Sequence, residues 1–152
     1  MLLLRHASAG ERLSSPSRDR ARRLDRLGRA QAVQLKETLV DGGIERIVTS
    51  PHRRCVETVA PLARALDLVV EVRPELAPDG EKRQTLALLR GLPDRALVCT
   101  HREVFERLFG DEVACEKGGA WLVERRSRGF AVTSYVPPPA VVVRDRRRAA
   151  VG

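Results

Sequence analysis

Two histidines stand where apolar runs end. "LLLRH" closes on Arg5 and His6, and "RALVCTH" closes on His101. A third apolar run ends at Thr49 and Ser50 and is followed at once by His52, Arg53 and Arg54. An imidazole that is neutral at one ring nitrogen is a nucleophile and a proton carrier near neutral pH. A guanidinium stays charged and offers a planar fork of donors, which suits the oxygens of an anionic group better than an ammonium does. A single histidine or arginine at a strand end is ordinary in a surface turn; several delivered to one place are not.

The elements around these residues predict that they converge. Residues 2–5 form a short buried strand, and the Ser, Gly, Pro and Arg-rich stretch after it has no period and reads as a long loop. Asp25 is an N-cap for a helix whose apolar stripe begins at Leu27, Ala30, Val33 or Gln34, and Leu35, and which stops at Gly42-Gly43. Ile44 to Val48 is a second strand. "HRRCVETVAPLARALD" has a helical period, with Pro61 expected to kink or break it. "LVVEV" is a third strand, "EKRQTLALLRGL" a third helix, and "RALVCTH" a strand built like the first. Beyond Gly110, "GAWLVERR" and "FAVTSYVP" read as a strand pair around the turn "RSRG", and Pro137-Pro138-Pro139 ends the folded part. Strands alternating with helices predict a three-layer α/β/α sandwich with a mostly parallel central sheet. Ligands in such sheets bind beyond the carboxyl ends of the strands, where His6, His101 and Ser50 should share one mouth.

Four segments, in order, resemble the histidine phosphatase superfamily. "LLLRHASAG" is similar to its Arg-His-Gly signature, with Ala7 in place of the glycine, and "LDRLGRAQA" to its Leu-Thr-x-x-Gly-x-x-Gln-Ala segment. "TSPHRRCVET" matches Ser-Pro-x-x-Arg-x-x-x-Thr, and "LVCTH" matches the strand bearing the second histidine. The resemblance implies a phosphoglycerate mutase-like fold and a phosphatase with no cofactor. It implies that His6 attacks phosphorus and is transiently phosphorylated, while Arg5, Arg54 and His101 hold the phosphoryl oxygens. Such a transfer is promoted by positioning and charge. A backbone carbonyl should hold the other nitrogen of His6 and so fix its tautomer. Ser50 and Thr100 are expected to brace or line the pocket, and Lys117 to lie near it. Thr58 would back-bond its helix or support Arg54. His52 and Arg53 are expected to face solvent on the first helical turn.

One departure bears on substrate. Superfamily members acting on alkyl phosphates often carry a glutamate general acid in a Leu-x-Glu segment after the third strand, and the matching position here is Pro78 in "PELAPDG". Glu75 and Asp79 are the carboxylates near enough in sequence to substitute as proton donor. An alkoxide leaves badly unprotonated, since its parent hydroxyl has a pKa near water's, roughly 15.7. An imidazole, whose conjugate acid has a pKa of about 6.5, leaves readily. The departure therefore favours phosphohistidine or an anhydride over a sugar phosphate. "ELAPDG" also resembles the Leu-x-Pro-x-Gly segment of SixA-type phosphohistidine phosphatases. "RHASAG", "LGRAQA", "RRCVETVAPLA" and "KGGAWLVE" are similar to the phosphatase half of Nudix–histidine-phosphatase fusions. The partner implied is a phosphorylated protein or a small phosphorylated molecule such as a nucleotide or polyphosphate. A non-catalytic phosphate-binding module is the remaining alternative.

Composition sets bounds. The 152 residues fit one domain, expected over 1–138, with a basic tail over 139–152. The net charge of +8 favours an anionic substrate. With aromatic residues at 3% the chain lacks stacking platforms, so nucleic acid is not an expected partner. No apolar run is long enough to span a membrane, and "MLLLRH" lacks the features of a secretory signal. Cys55, Cys99 and Cys115 have no metal-type spacing and read as cytoplasmic thiols, with no metal site expected.

Overall fold

The computed structural model describes residues 1–143; residues 144–152, and with them much of the expected basic tail, lie outside the described residues. Six strands form one sheet: β1 (Leu2–Arg5), β2 (Arg46–Thr49), β3 (Val70–Val72), β4 (Ala96–Thr100), β5 (Ala120–Arg125) and β6 (Phe130–Val136). Their spatial order is β3-β2-β4-β1-β5-β6. The first four run parallel, β5 is antiparallel to β1, and β6 returns antiparallel to β5. The α-helices among the described residues are α1 (Pro16–Arg20), α2 (Arg26–Leu39), α3 (Arg53–Leu66), α4 (Lys82–Arg90) and α5 (Arg102–Phe109), and α2 to α5 pack on the sheet.

Side chains alternate across a strand, so each short apolar run feeds two cores. Leu3, Val48 and Val98 pack with Leu88 and Leu89 of α4 and Phe105 of α5. Leu4, Ile47, Leu97 and Cys99 pack on the opposite face with Cys55, Val59 and Leu62 of α3 and Leu35 of α2. This is the expected three-layer sandwich. Each fully buried aliphatic side chain contributes roughly 1.5–3 kcal/mol, and the continuous burial of β4 makes it the apolar spine of the molecule.

Three local expectations are corrected. The long loop after β1 contains α1, started by Ser15, whose hydroxyl accepts from the Arg18 amide, and by Pro16 in the first turn. Five residues carry no apolar period, so the cap is the only signal. In α2 the buried positions are Gly28, Gln31, Ala32 and Leu35, while Leu27 and Val33 are 40% and 50% exposed. This helix packs its N-terminal half against the loop after β1, which takes small and polar residues in place of a leucine stripe. α3 runs on through Pro61 without the break that was one of the two expectations there, held to the sheet by Val59, Leu62 and Ala63 on either side of the ring. Directly after His101, α5 buries Val104 and Phe105, and Leu108 and Phe109 one turn later pack on the same side.

Candidate active site

The parallel pairing of β1 and β4 sets Arg5 opposite Thr100, so His6 and His101 leave the sheet side by side at its carboxyl edge. The His6 amide donates to the Thr100 carbonyl at 3.0 Å, and the Ser50 amide to the Cys99 carbonyl at 3.0 Å. Three strands thus end at one level. α3 starts just beyond β2 with His52 as N-cap, which brings Arg54 to the same edge.

His6 is buried, and its Nδ1 lies 2.8 Å from the Ala7 carbonyl oxygen. A carbonyl accepts only, so Nδ1 carries the proton and Nε2 keeps its lone pair. Burial, reinforced by the charges of Arg54 and Arg5, pushes the His6 pKa down to about 3. The ring is therefore neutral at neutral pH. Its backbone is tied to α3, since the Ala7 amide donates to Thr58 Oγ1 at 2.9 Å and that hydroxyl donates to the Arg54 carbonyl at 2.6 Å.

Arg5 donates through Nη1 to the Cys115 carbonyl at 2.8 Å. Arg54, only 2% exposed, donates through Nη1 to the Asp19 carbonyl at 2.8 Å and faces the Asp19 carboxylate with Nη2 at 3.4 Å. In both arginines the Nε–H is buried and has no hydrogen-bond partner among the described residues. An unpaired donor on a buried cation is costly, and here there are two, both on side chains that line one cleft with His6. The cleft has a volume of about 350 Å³. Its walls also include Gly10, Glu11, Arg12 and Arg22 from the loop after β1, Arg102 and Glu103 from α5, and Lys117. Gly118 follows Lys117 with a φ of +82°, a conformation suited to glycine, and its amide donates to the His6 carbonyl at 3.0 Å.

His101 stands behind this wall and does not line the cleft. Its Nε2 is 2.7 Å from Ser50 Oγ and its Nδ1 is 3.4 Å from Arg54 Nη2. A guanidinium only donates, so Nδ1 accepts and the proton sits on Nε2, directed at Ser50. Burial, with Arg54 next, lowers the His101 pKa strongly.

Several expected positions are placed elsewhere. Ser50 and Thr100 are fully buried behind the site: Ser50 holds His101, and Thr100 donates to the Leu76 carbonyl at 2.7 Å. Neither lines the cleft. Glu75 turns away to pair with Arg73 at 2.9 Å and lines a separate cavity with Pro74 and Gln84. Asp79 is exposed and is not part of the cleft wall. The turn carrying both is pinned by Arg107, which donates to the Pro78 carbonyl. His52 is buried, contrary to expectation, with its ring edge-on to His101 at 4.7 Å; burial lowers its pKa to about 4. Arg53 is exposed.

Arg12, Arg22, Asp19 and Glu103 carry no sequence signal that separates them from the many other charged residues. Among the described residues, no group of three or more His, Cys, Asp or Glu side chains could hold a metal ion. The three cysteines are free and buried, and no described helix is long and apolar enough to cross a membrane.

The sequence model of the histidine phosphatase superfamily (branch 1) matches residues 1–78. An 8-oxo-(d)GTP phosphatase of Mycolicibacterium smegmatis is 29% identical over 157 residues, covering 91% of this chain and 48% of the relative, so the chain spans about half that protein's length. The protein histidine phosphatase SixA complexed with tungstate superposes with a TM-score of 0.68 at 26% identity, covering 90% of this chain and 96% of the other. A mycobacterial glucosyl-3-phosphoglycerate phosphatase complexed with VO3 gives a TM-score of 0.71 at 16% identity, covering 90% and 98%, a likeness of fold.

Proposed function

The chain belongs to the histidine phosphatase superfamily, branch 1, and from that premise we propose that it hydrolyses phosphorylated substrates by two displacements through a phosphohistidine on His6. The reading is carried by one observation: two buried guanidiniums with unpartnered Nε–H groups line the same cleft as His6. A phosphoryl group supplies the oxygens those donors lack. Nε2 of His6 attacks phosphorus while Nδ1–H stays on the Ala7 carbonyl. Arg5 and Arg54 take the charge on the phosphoryl oxygens, and the leaving group departs. Water then cleaves the P–N bond and regenerates His6. His101 acts from behind, orienting Arg54 through Nδ1.

The substrate is a phosphoramidate, first of all phosphohistidine on a partner protein. Neither Glu75 nor Asp79 lines the cleft, so a leaving group that brings its own proton is favoured. The likeness to SixA supports the same reading. A second reading, a nucleotide or small polyphosphate, is favoured by Arg12, Arg102 and Lys117. They line the cleft beyond the two clamp arginines and could hold a second phosphate. The name of the mycobacterial relative agrees with it.

The test is a rate comparison on phosphohistidine, p-nitrophenyl phosphate, a sugar phosphate and a nucleoside triphosphate, with His6→Ala alongside. The P–N substrate should be cleaved fastest, with label trapped on His6. Preference for the triphosphate selects the second reading, and equal cleavage of the sugar phosphate removes the leaving-group argument. Turnover of phosphohistidine by His6→Ala would overturn the mechanism. Binding without labelling of His6 would leave a phosphate-binding module.

A further inference from the structure

We propose that Glu103 is the base that activates water in the second displacement; this rests on the phosphohistidine reading above. Glu103 lies two positions after His101 in the first turn of α5, so the strand that positions His101 also fixes the start of this helix. Its side chain is 28% exposed and lines the same cleft as His6, Arg5 and Arg54. The other carboxylate on that wall, Glu11, is exposed on the loop after β1. Glu103 is thus the less exposed of the two carboxylates at a mouth lined mainly by cations.

Its surroundings select the ionised form. Arg12, from the loop after β1, donates to Oε1 of Glu103. Arg5 from β1 and Arg54 from α3 both feel its charge, and Arg102 and Glu106 face each other beside it on α5. Lys117 adds a further positive charge across the cleft. Burial alone would raise the Glu103 pKa, but its own amide, Arg12 and Arg102 outweigh that and hold it below the usual carboxylate range. A position near a helix N-terminus acts in the same direction. A carboxylate held ionised is a poor proton donor and a ready proton acceptor. In the step proposed, water oxygen bonds to phosphorus as the P–Nε2 bond breaks, and the electron pair returns to His6. The water proton passes to Glu103 and then to solvent, and inorganic phosphate is released.

Rapid-quench labelling with phosphoramidate, whose amine leaves with its own proton, separates the two displacements. In Glu103→Gln, phosphorylated His6 should accumulate and kcat should fall about 100-fold. KM should fall in step, because kcat/KM reports the first displacement. In Arg12→Gln the carboxylate remains but loses its partner. The acid limb of kcat should then move to higher pH, with no accumulation at pH 8. The proposal is overturned if Glu103→Gln lowers kcat/KM without accumulating phosphoenzyme, or if Arg12→Gln accumulates it equally at pH 8. A wild-type enzyme that turns over with His6 never labelled would fell the phosphohistidine reading itself, and the role of Glu103 with it.

Discussion

Arg54 and Asp19 are bound twice, by Nη1 to the Asp19 carbonyl at 2.8 Å and by Nη2 to its carboxylate at 3.4 Å. The five-residue helix α1 thereby fixes a guanidinium that belongs to α3. Burial raises the Asp19 pKa, but the Leu13 amide, Arg54 and Arg22 outweigh it and hold the carboxyl below its ordinary value. A depressed carboxylate stabilises the fold above its unfolded pKa of about 3.9, and that stabilisation is lost as pH falls through the folded value. Asp19→Asn should cost about 2 kcal/mol at pH 7, a fall in Tm of roughly 4–8 °C. Thermal unfolding at pH 7 and again near pH 2.5 checks this: the gap to wild type should close in acid, and a constant gap would mean the ion pair is not its source.

All three histidines should stay neutral through the physiological range. Burial, first in each case, lowers His6 to about 3 and His52 to about 4, and lowers His101 strongly. Ring-nitrogen NMR between pH 5 and 8 should show no titration, with His6 protonated at Nδ1 and His101 at Nε2. The unfolded chain takes up protons below about pH 6.5 that the folded state refuses. Stability should therefore decline as pH drops from there through the folded values. A ring titrating near 6.5 in the native protein would contradict the burial argument.

His52 packs edge-on against His101 with an unpartnered, buried Nδ1. Replacing such a group by an apolar one of similar shape is close to neutral, whereas removing the ring leaves a cavity. His52→Phe should cost less than about 1 kcal/mol, and His52→Ala about 2–3 kcal/mol, by chemical denaturation. Equal losses would mean that the nitrogen, not the ring, does the packing work.

Gly28 lies where α2 touches the loop after His6, and a Cβ there would meet the Ser8 carbonyl oxygen at 1.8 Å. Glycine to alanine in a helix usually stabilises by about 1 kcal/mol. Here the sign should reverse, with a loss of about 2 kcal/mol and a lower kcat/KM as Ser8 is displaced. An unchanged Tm would show that the loop yields without strain.

The strand ends were legible because apolar runs mark strands and polar residues mark where they stop. Arg5, His6 and His101 stand out at such ends, and Arg54 stands out by the resemblance of its segment to Ser-Pro-x-x-Arg-x-x-x-Thr. Asp19, Arg22 and Glu103 do not stand out, because arginine and glutamate recur along the whole chain and their roles come from contacts made across it. The burial of His52 depends on His101, which arrives from β4. Glu75 and Asp79 were near in sequence to the position expected for a proton donor, yet Arg73 and the Pro78 turn direct them elsewhere. For α2, periodicity alone put Leu27 and Val33 inside, and packing against Ser8 turned them out.

The pairing of Leu2 with Leu97 has a kinetic consequence. His6 directly follows the first strand of this sheet in sequence, but one of that strand's two neighbours is the fourth. Joining them closes a loop of most of the chain, a step whose entropy cost must be met before the contacts of the finished sheet can repay it. A nascent chain that has made β1, β2 and β3 holds His6, Arg5 and Arg54 and lacks the strand that seats them together. Activity should therefore appear late in folding and all at once, with the docking of β4.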